Sequence, residues 1–310
     1  MADHRPVPPA HPVAGLIAFA SSIIDGAAYT RYARPGIRAA AEPGAAVLAY
    51  EAVGTVCQSN NVLLDVAARH HDLEALVLVE EHVAIDDPEL CAKVRAAFRD
   101  PDVAVAGWMG AAGVRSLAWW EGRISCGPVV VRYDQHGGGV LPAHAWTETD
   151  APPASVDAVD GRLMALSPWA VRNLRFDEAL SLGYGYDLDF CLQARAAGRK
   201  VQTAAFRAVH HHSLELIADR ELWVEGHIQI AEKWNGSLLG GGAAEGDWKA
   251  RARRAEAERD AARTLAYSSA TLLDAHVEPL ERELEAMTTS ASWRATAPLR
   301  ALNRLRRRGS

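Results

Sequence analysis

The sequence predicts an α/β fold with a doubly wound sheet, followed by a long helical segment. Three observations carry this. Short apolar runs alternate with segments of helical period over the first hundred or so residues. One of those runs, Leu76, Val77, Leu78 and Val79, is continuously apolar, as expected for a parallel strand covered on both faces. After the glycines at 240, 241 and 242, the chain becomes rich in Ala, Arg and Glu as far as Met287.

The elements follow in order. Residues 1–12 are a Pro- and His-rich lead-in. Residues 14–20 read as the first strand, and 29–41 as a turn and helix interrupted by Pro35 and Gly36. Residues 45–50 read as the second strand, with Glu51 at its carboxyl end. Residues 60–70 have helical spacing through Leu63, Leu64, Val66 and Ala67. The run 76–79 ends in Glu80, Glu81 and His82. Asp87 and Pro88 read as N-cap and first position of a helix with Leu90, Val94 and Phe98 along one face. Residues 103–107 are a further strand, and 108–146 read as irregular, with a short strand at 129–131. Strand-helix alternation gives a doubly wound sheet, and ligands of such sheets bind beyond the carboxyl ends of the strands. Glu51 and residues 80–82 fall at those ends.

The organisation expected is a lead-in over 1–12, a catalytic-type domain over 13–239, a linker over 240–246 and a basic helical extension over 247–310. In the extension Leu273, Val277, Leu280, Leu284 and Met287 step by four and three, a coiled-coil-like seam, with Pro279 inside it to kink or break the helix. Self-association through this helix is one expectation. The basic end, where Trp293, Leu299, Leu302 and Leu305 interleave with arginines, is suited to peripheral contact with anionic lipid head groups.

Composition narrows the function classes. The chain has 310 residues, 49% hydrophobic and 23% charged, enough for a large core. A formal net charge of -6 argues against a general nucleic-acid binder. Cys57, Cys91, Cys126 and Cys191 stand apart without a C-x-x-C pair and read as reduced thiols of a cytoplasmic protein. The apolar stretch 13–24 reads as a buried strand rather than a signal peptide, and no apolar stretch reaches the roughly 18 residues of a membrane span.

The chemistry concentrates between residues 157 and 213. Asp187 and Asp189 open a helical pattern after a Gly/Tyr-rich turn, and His210, His211 and His212 follow an apolar segment. Asp160-Gly161, then Phe176-Asp177-Glu178, then the run from Tyr186 through Asp187, Asp189 and Cys191 to Gly198, then a His after a strand, resemble the second half of a family 2 glycosyltransferase with the GT-A fold. The Ser292-Trp293-Arg294 to Arg300 ending resembles the tails of bacterial glycosyltransferases that build surface polysaccharides. The likeness covers roughly residues 14–234 before that tail.

The resemblance implies transfer of a sugar from a nucleotide-diphosphate donor to a hydroxyl of a glycan or lipid-linked acceptor, inverting and assisted by a divalent cation, Mn²⁺ ahead of Mg²⁺. It implies Asp187 as the general base, matching the Asp of the family's Glu-Asp pair, with Tyr186 at the Glu position. It implies Asp160, Gly161, Arg162 and Asp189 at the acceptor, and Glu51, Asn61, Glu80 and Glu81 at the sugar nucleotide. The family's Asp-x-Asp position reads Glu80-Glu81-His82 here. Strand alternation puts Glu80 and His82 on one side and Glu81 on the other. Carboxylate and imidazole both suit Mn²⁺, so Glu80 and His82 are candidate metal ligands, with His212 favoured within the histidine run. His210 and His212 share a face if the run is extended. A helix N-terminus favours an ionised Asp187, although capping alone also explains an Asp there. Trp169 and Trp223 read as core aromatics. Two other readings fit the same residues. One is a catalytically inactive sugar-nucleotide-binding or assembly protein. The other is a metal-dependent hydrolase built on the histidine run.

Overall fold

The computed structural model describes residues 15–126, 129–133, 139–142, 149–180, 183–212, 219–234, 247–297 and 300. The lead-in and the linker lie outside them.

Strand β1 (Leu16–Ile23) buries Ile17, Phe19 and Ala20 in the core around the main sheet. A single helical passage follows: α1 (Gly26–Ala28), a π-helical turn at Tyr29–Ala33 and α2 (Arg34–Ala40). Pro35 and Gly36 do not break it. Pro35 lies inside the passage directly after the π-helical turn, where the Arg34 N–H to Tyr29 carbonyl bond already departs from the regular α ladder. Gly36 is needed for close packing, because a β-carbon there would lie 2.6 Å from the Ile85 backbone nitrogen.

Strand β2 (Val47–Glu51) leads to α3 (Val56–Ala67), closed by a reciprocal Thr55–Gln58 capping box. Then come β3 (Leu73–Val79), β4 (Val83–Ile85), α4 (Leu90–Ala97) and β5 (Val103–Gly107). Asp87 Oδ1 accepts the Glu89 N–H at 3.2 Å, the bond expected of an N-cap, although the regular helix starts only at Leu90. Its buried Oδ2 also accepts from Lys93 Nζ at 2.7 Å and from the Arg207 backbone N–H at 3.0 Å. It ties α4 to the segment ahead of the histidine run.

The described part of the stretch expected to be irregular is more than half strand. It forms β6 (Met109–Ala112), β7 (Arg123–Cys126), β8 (Val129–Tyr133) and β9 (Gly139–Pro142). Two short pieces, β10 (Thr149–Asp150) and β11 (Ala158–Val159), precede β12 (Leu163–Leu166) and α5 (Pro168–Asn173). The remaining elements are α6 (Tyr186–Ala196), β13 (Lys200–Thr203), β14 (Ala208–His212), α7 (Arg220–Lys233), α8 (Asp247–Thr289) and α9 (Ala291–Ala295).

The main sheet has the order β13-β5-β12-β3-β1-β2, with β10-β7-β6-β11 and β4-β14-β8-β9 as smaller sheets. Strands β2, β1 and β3 are parallel, as are β5 and β13, and β12 runs antiparallel between β3 and β5. The sheet is therefore mixed and doubly wound. Its inserted antiparallel strand matters for function. Leu163 pairs with Val79, so the residues entering β12 meet those leaving β3 at one edge.

Helix α8 packs on α7 through Ala257 against Ile228 and Ala231, and Arg263 reaches Glu121 at 2.6 Å. It runs through Pro279 without ending there. Val277, Leu280, Leu284 and Met287 are exposed along its distal half. Among the described residues no helix is long and apolar enough to cross a membrane. The four cysteines are free.

Candidate active site

Five segments meet at the β3/β12 edge: the end of β3, the loop into β12, the end of β1, the N-terminus of α6 and strand β14. The Glu80 backbone N–H donates to the Arg162 carbonyl at 2.9 Å, extending the β3–β12 pairing by one residue. This brings the acidic end of β3 against the Asp160-Gly161-Arg162 loop.

Asp160 organises that loop. It is buried, and its Oδ1 accepts from Trp108 Nε1 at 3.1 Å and from the Arg162 backbone at 2.9 Å. Its Oδ2 accepts from Arg162 Nη1 at 2.6 Å. The Arg162 guanidinium also lies 3.8 Å from Glu80 Oε2 through Nε, and its side chain remains 37% exposed. Asp160, Glu80 and Asp187 around it stabilise its charge against burial.

Asp187 stands at the first turn of α6, opposite this loop. Its Oδ2 accepts the Gly161 N–H at 3.0 Å and its Oδ1 the Leu188 N–H at 2.8 Å. The sequence points to a helix terminus holding this carboxyl ionised. The structure adds an opposing effect: burial, with the Asp160 charge behind it, pushes Asp187 up to about 6 despite those two N–H donors. Such a group is ionised at neutral pH and is still basic enough to take a proton. Gly161 serves a tighter purpose than approach to a ligand. A β-carbon there would lie 2.8 Å from Asp187 Cβ and 2.8 Å from Tyr186 Oη. Tyr186 itself is raised well above its ordinary value, first by burial and then by Asp187.

At the end of β3, Glu80 and His82 point the same way. Glu80 Oε1 lies 3.5 Å from His82 Nδ1, and Oε2 lies 3.3 Å from His210 Nε2. Burial opposes ionisation of Glu80, but the two histidines and Arg162 hold its carboxyl well below the usual range. Glu80 in turn raises His82 against the effect of burial. Burial and the Arg162 charge push His210 down. The 3.3 Å contact is an ion-pair distance outside hydrogen-bond alignment: Oε2 is buried and makes no hydrogen bond among the described residues.

A divalent cation was expected on Glu80, His82 and His212. The histidine aimed at Glu80 is His210, whereas the His212 side chain lies outside the described residues. His82 and His210 approach opposite oxygens of one carboxylate, and Arg162 stands behind the second oxygen. These donors pair with each other rather than converge on one point. Among the described residues no group of three His, Cys, Asp or Glu side chains could hold a metal ion. The described residues therefore do not fit the expected cation.

The other expected binding residues take varied places. Glu81 is buried and turned away, and accepts from the Asp25 N–H at 3.2 Å and the Ile24 N–H at 3.4 Å, which fixes the end of β1. Asp25 in turn caps α1. Glu51 is exposed at the end of β2, level with Ile23. Asn61 is bound to the chain itself: Nδ2 donates to the Phe176 carbonyl at 2.9 Å and Oδ1 accepts the Phe176 N–H at 2.9 Å. Asp189 is fully buried and faces away from Asp187, accepting from Trp234 Nε1 at 2.7 Å and Gln193 Nε2 at 2.7 Å, beside Lys233 Nζ at 2.7 Å. Its contacts anchor α7 to α6. Trp223 is buried and stacked on Trp120, and Trp169 lies under Arg199.

Two participants escape sequence reading. Trp108 carries no signal separating it from other tryptophans, and only its bond to Asp160 gives it a place in the site. His210 was one of two residues on the same strand face. Period-two alternation cannot choose between them.

The profile of the Glycosyltransferase like family matches residues 53–223. The streptomycin biosynthesis protein StrF of Streptomyces griseus is 27% identical over 201 residues, 64% of this chain and 67% of its own length. Among solved structures, GalNAc-T7 with UDP, GalNAc and Mn²⁺ is similar at a TM-score of 0.49 and 10% identity, over 84% of this chain and 58% of that one. The mannosyltransferase PcManGT from Pyrobaculum calidifontis, in complex with GDP-Man and Mn²⁺, is similar at 0.43 and 11%, over 92% of this chain and 84% of that one. The matched region spans β3, the loop into β12, α6 and the histidine run, and on that match the chain belongs to the Glycosyltransferase like family.

Proposed function

We propose that this chain transfers a sugar from a nucleotide-diphosphate donor to a hydroxyl of a glycan or lipid-linked acceptor, with inversion at the anomeric carbon. The observation that carries this reading is the contact between Asp187 and the Asp160-Gly161-Arg162 loop beside Glu80. It joins a carboxylate of suitable basicity to a positively charged neighbour at the edge where a doubly wound sheet binds ligands. Asp187 takes the proton of the acceptor hydroxyl. The acceptor oxygen forms its bond to the anomeric carbon as the bond to the diphosphate breaks. The nucleoside diphosphate leaves carrying that electron pair.

Glu51, on the side of β1 and β2, is suited to the nucleoside. The loop at Gly161 and Arg162 lies between donor and acceptor. No step here depends on a divalent cation. The division into a domain over 13–239 and a helical extension over 247–310 is part of the same proposal. So are self-association through α8, peripheral membrane contact by the basic tail, a cytoplasmic location and a role in surface polysaccharide assembly.

Replacing Asp187 by Asn tests the reading. Transfer should fall by about 10²–10⁴-fold, with nucleoside diphosphate binding retained. Transfer at the wild-type rate would remove the assignment. The self-paired Glu80 also suits a sugar-nucleotide-binding protein without turnover. Binding by the wild-type chain with no transfer to any acceptor in a panel would favour that alternative.

A further inference from the structure

The neighbourhood of Asp187 is acidic. Asp160, Glu80 and Asp187 all face one guanidinium, and Glu81 lies just behind the β3 end. A nucleoside diphosphate brings further negative charge to the same edge. Something there must carry a compensating positive charge, since an unpaired anion in a partly dry cleft is costly. The two obvious candidates are already engaged: His82 Nδ1 and His210 Nε2 lie against the two oxygens of Glu80, at 3.5 and 3.3 Å.

Arg162 is differently placed. Nη1 is fixed by Asp160 at 2.6 Å, and Nε faces Glu80. The Nη2 group makes no hydrogen bond among the described residues. The guanidinium is therefore locked on one edge by a buried carboxylate whose side chain is 2% exposed, while the arginine side chain itself is 37% exposed. A planar, permanently charged group held in this way is preorganised for phosphate oxygens. Its Nε also lies 3.8 Å from Glu80 Oε2.

We propose that Arg162 supplies the fixed positive charge that receives the donor's diphosphate, so that this chain binds nucleoside diphosphates without a divalent cation. The proposal rests on the transferase reading above. Asp160 and Trp108 then act as positioning residues, orienting the guanidinium through the bonds described.

Calorimetric titration with UDP, GDP, CDP and dTDP, in EDTA and in Mn²⁺, tests this. At least one should bind in EDTA with an affinity within about threefold of that in Mn²⁺, and Arg162→Met should weaken it by about tenfold or more, the loss of one charge-assisted contact. Arg162→Lys should recover part of the loss. Because Arg162→Met leaves Asp160 without its partner, the double variant Asp160→Asn/Arg162→Met should fold with fewer losses and show the same weak binding. Binding that appears only with Mn²⁺ would overturn the proposal and leave the transferase reading intact. So would wild-type affinity in a folded Arg162→Met. No binding of any of the four in either condition would overturn both.

Discussion

The Gly161 N–H donates to Asp187 Oδ2 at 3.0 Å, and a β-carbon on Gly161 would come within 2.8 Å of Asp187 Cβ. One backbone position therefore both orients the candidate base and leaves it room. Gly161→Ala should displace Asp187 by a fraction of an ångström or more. The expected cost is roughly 1–3 kcal/mol of stability and up to about 10²-fold in transfer rate. Thermal unfolding and steady-state kinetics on the folded variant check this. An unchanged rate would mean that the position of Asp187 does not matter.

Asp189 separates the acceptor assignment from a structural one. Its carboxylate is fully buried among Trp234, Gln193 and Lys233. Asp189→Ala leaves Trp234 Nε1 and Gln193 Nε2 without their acceptor, while Lys233 keeps Asp177, and should destabilise the fold by about 1–3 kcal/mol. Asp189→Asn should cost less and leave the acceptor KM per folded molecule unchanged. A rise in acceptor KM without loss of Tm would restore Asp189 to the acceptor site.

Asp160 should behave as the keystone of the loop. Asp160→Ala removes the acceptor for Trp108 Nε1 and the partner of Arg162. A loss of about 2–4 kcal/mol is expected, below the value for a fully buried pair because Arg162 still reaches solvent. Urea unfolding with fluorescence detection measures it. By contrast Arg263→Ala, which breaks an exposed pair with Glu121, should cost less than about 1 kcal/mol.

The raised Asp187 also makes a stability prediction. Its folded value of about 6 lies above the ordinary 3.8, so the folded state holds the proton more tightly than the unfolded chain. The stabilisation from this group is full below about pH 4 and is lost as pH rises through about 6. Asp187→Asn should therefore flatten the stability profile between those values, whatever it loses from having a single acceptor oxygen for the Gly161 and Leu188 N–H groups. A variant profile that keeps the wild-type slope between about pH 4 and 6 would contradict the burial of an ionisable Asp187.

Much of this was legible in the chain, for identifiable reasons. A continuous apolar run declared β3; Glu80 and His82 do lie together with Glu81 opposite, but residues 80–82 form a turn after the strand, so alternation was not the cause. Asp187 and Asp189 are two apart in a helix, hence roughly 200° apart. That spacing already argues against both facing one ligand. Alternation could not separate His210 from His212, because choosing between them requires β14 to be docked beside β4. Capping rules placed Asp87 ahead of its helix, where it accepts the Glu89 N–H, but they could not foresee its further bond to the Arg207 backbone, a contact set by tertiary packing. The strands of residues 109–142 were obscured by Gly and Trp, whose propensities carry little period.

The most direct measurement is the pH dependence of kcat/KM for transfer. The account predicts an acidic limb with an inflection near 6, set by Asp187, and a residual rate in Asp187→Asn that no longer shows it. A wild-type rate that stays level down to pH 4.5, or an Asn variant that keeps both the rate and the limb, would contradict Asp187 as the group that takes the proton.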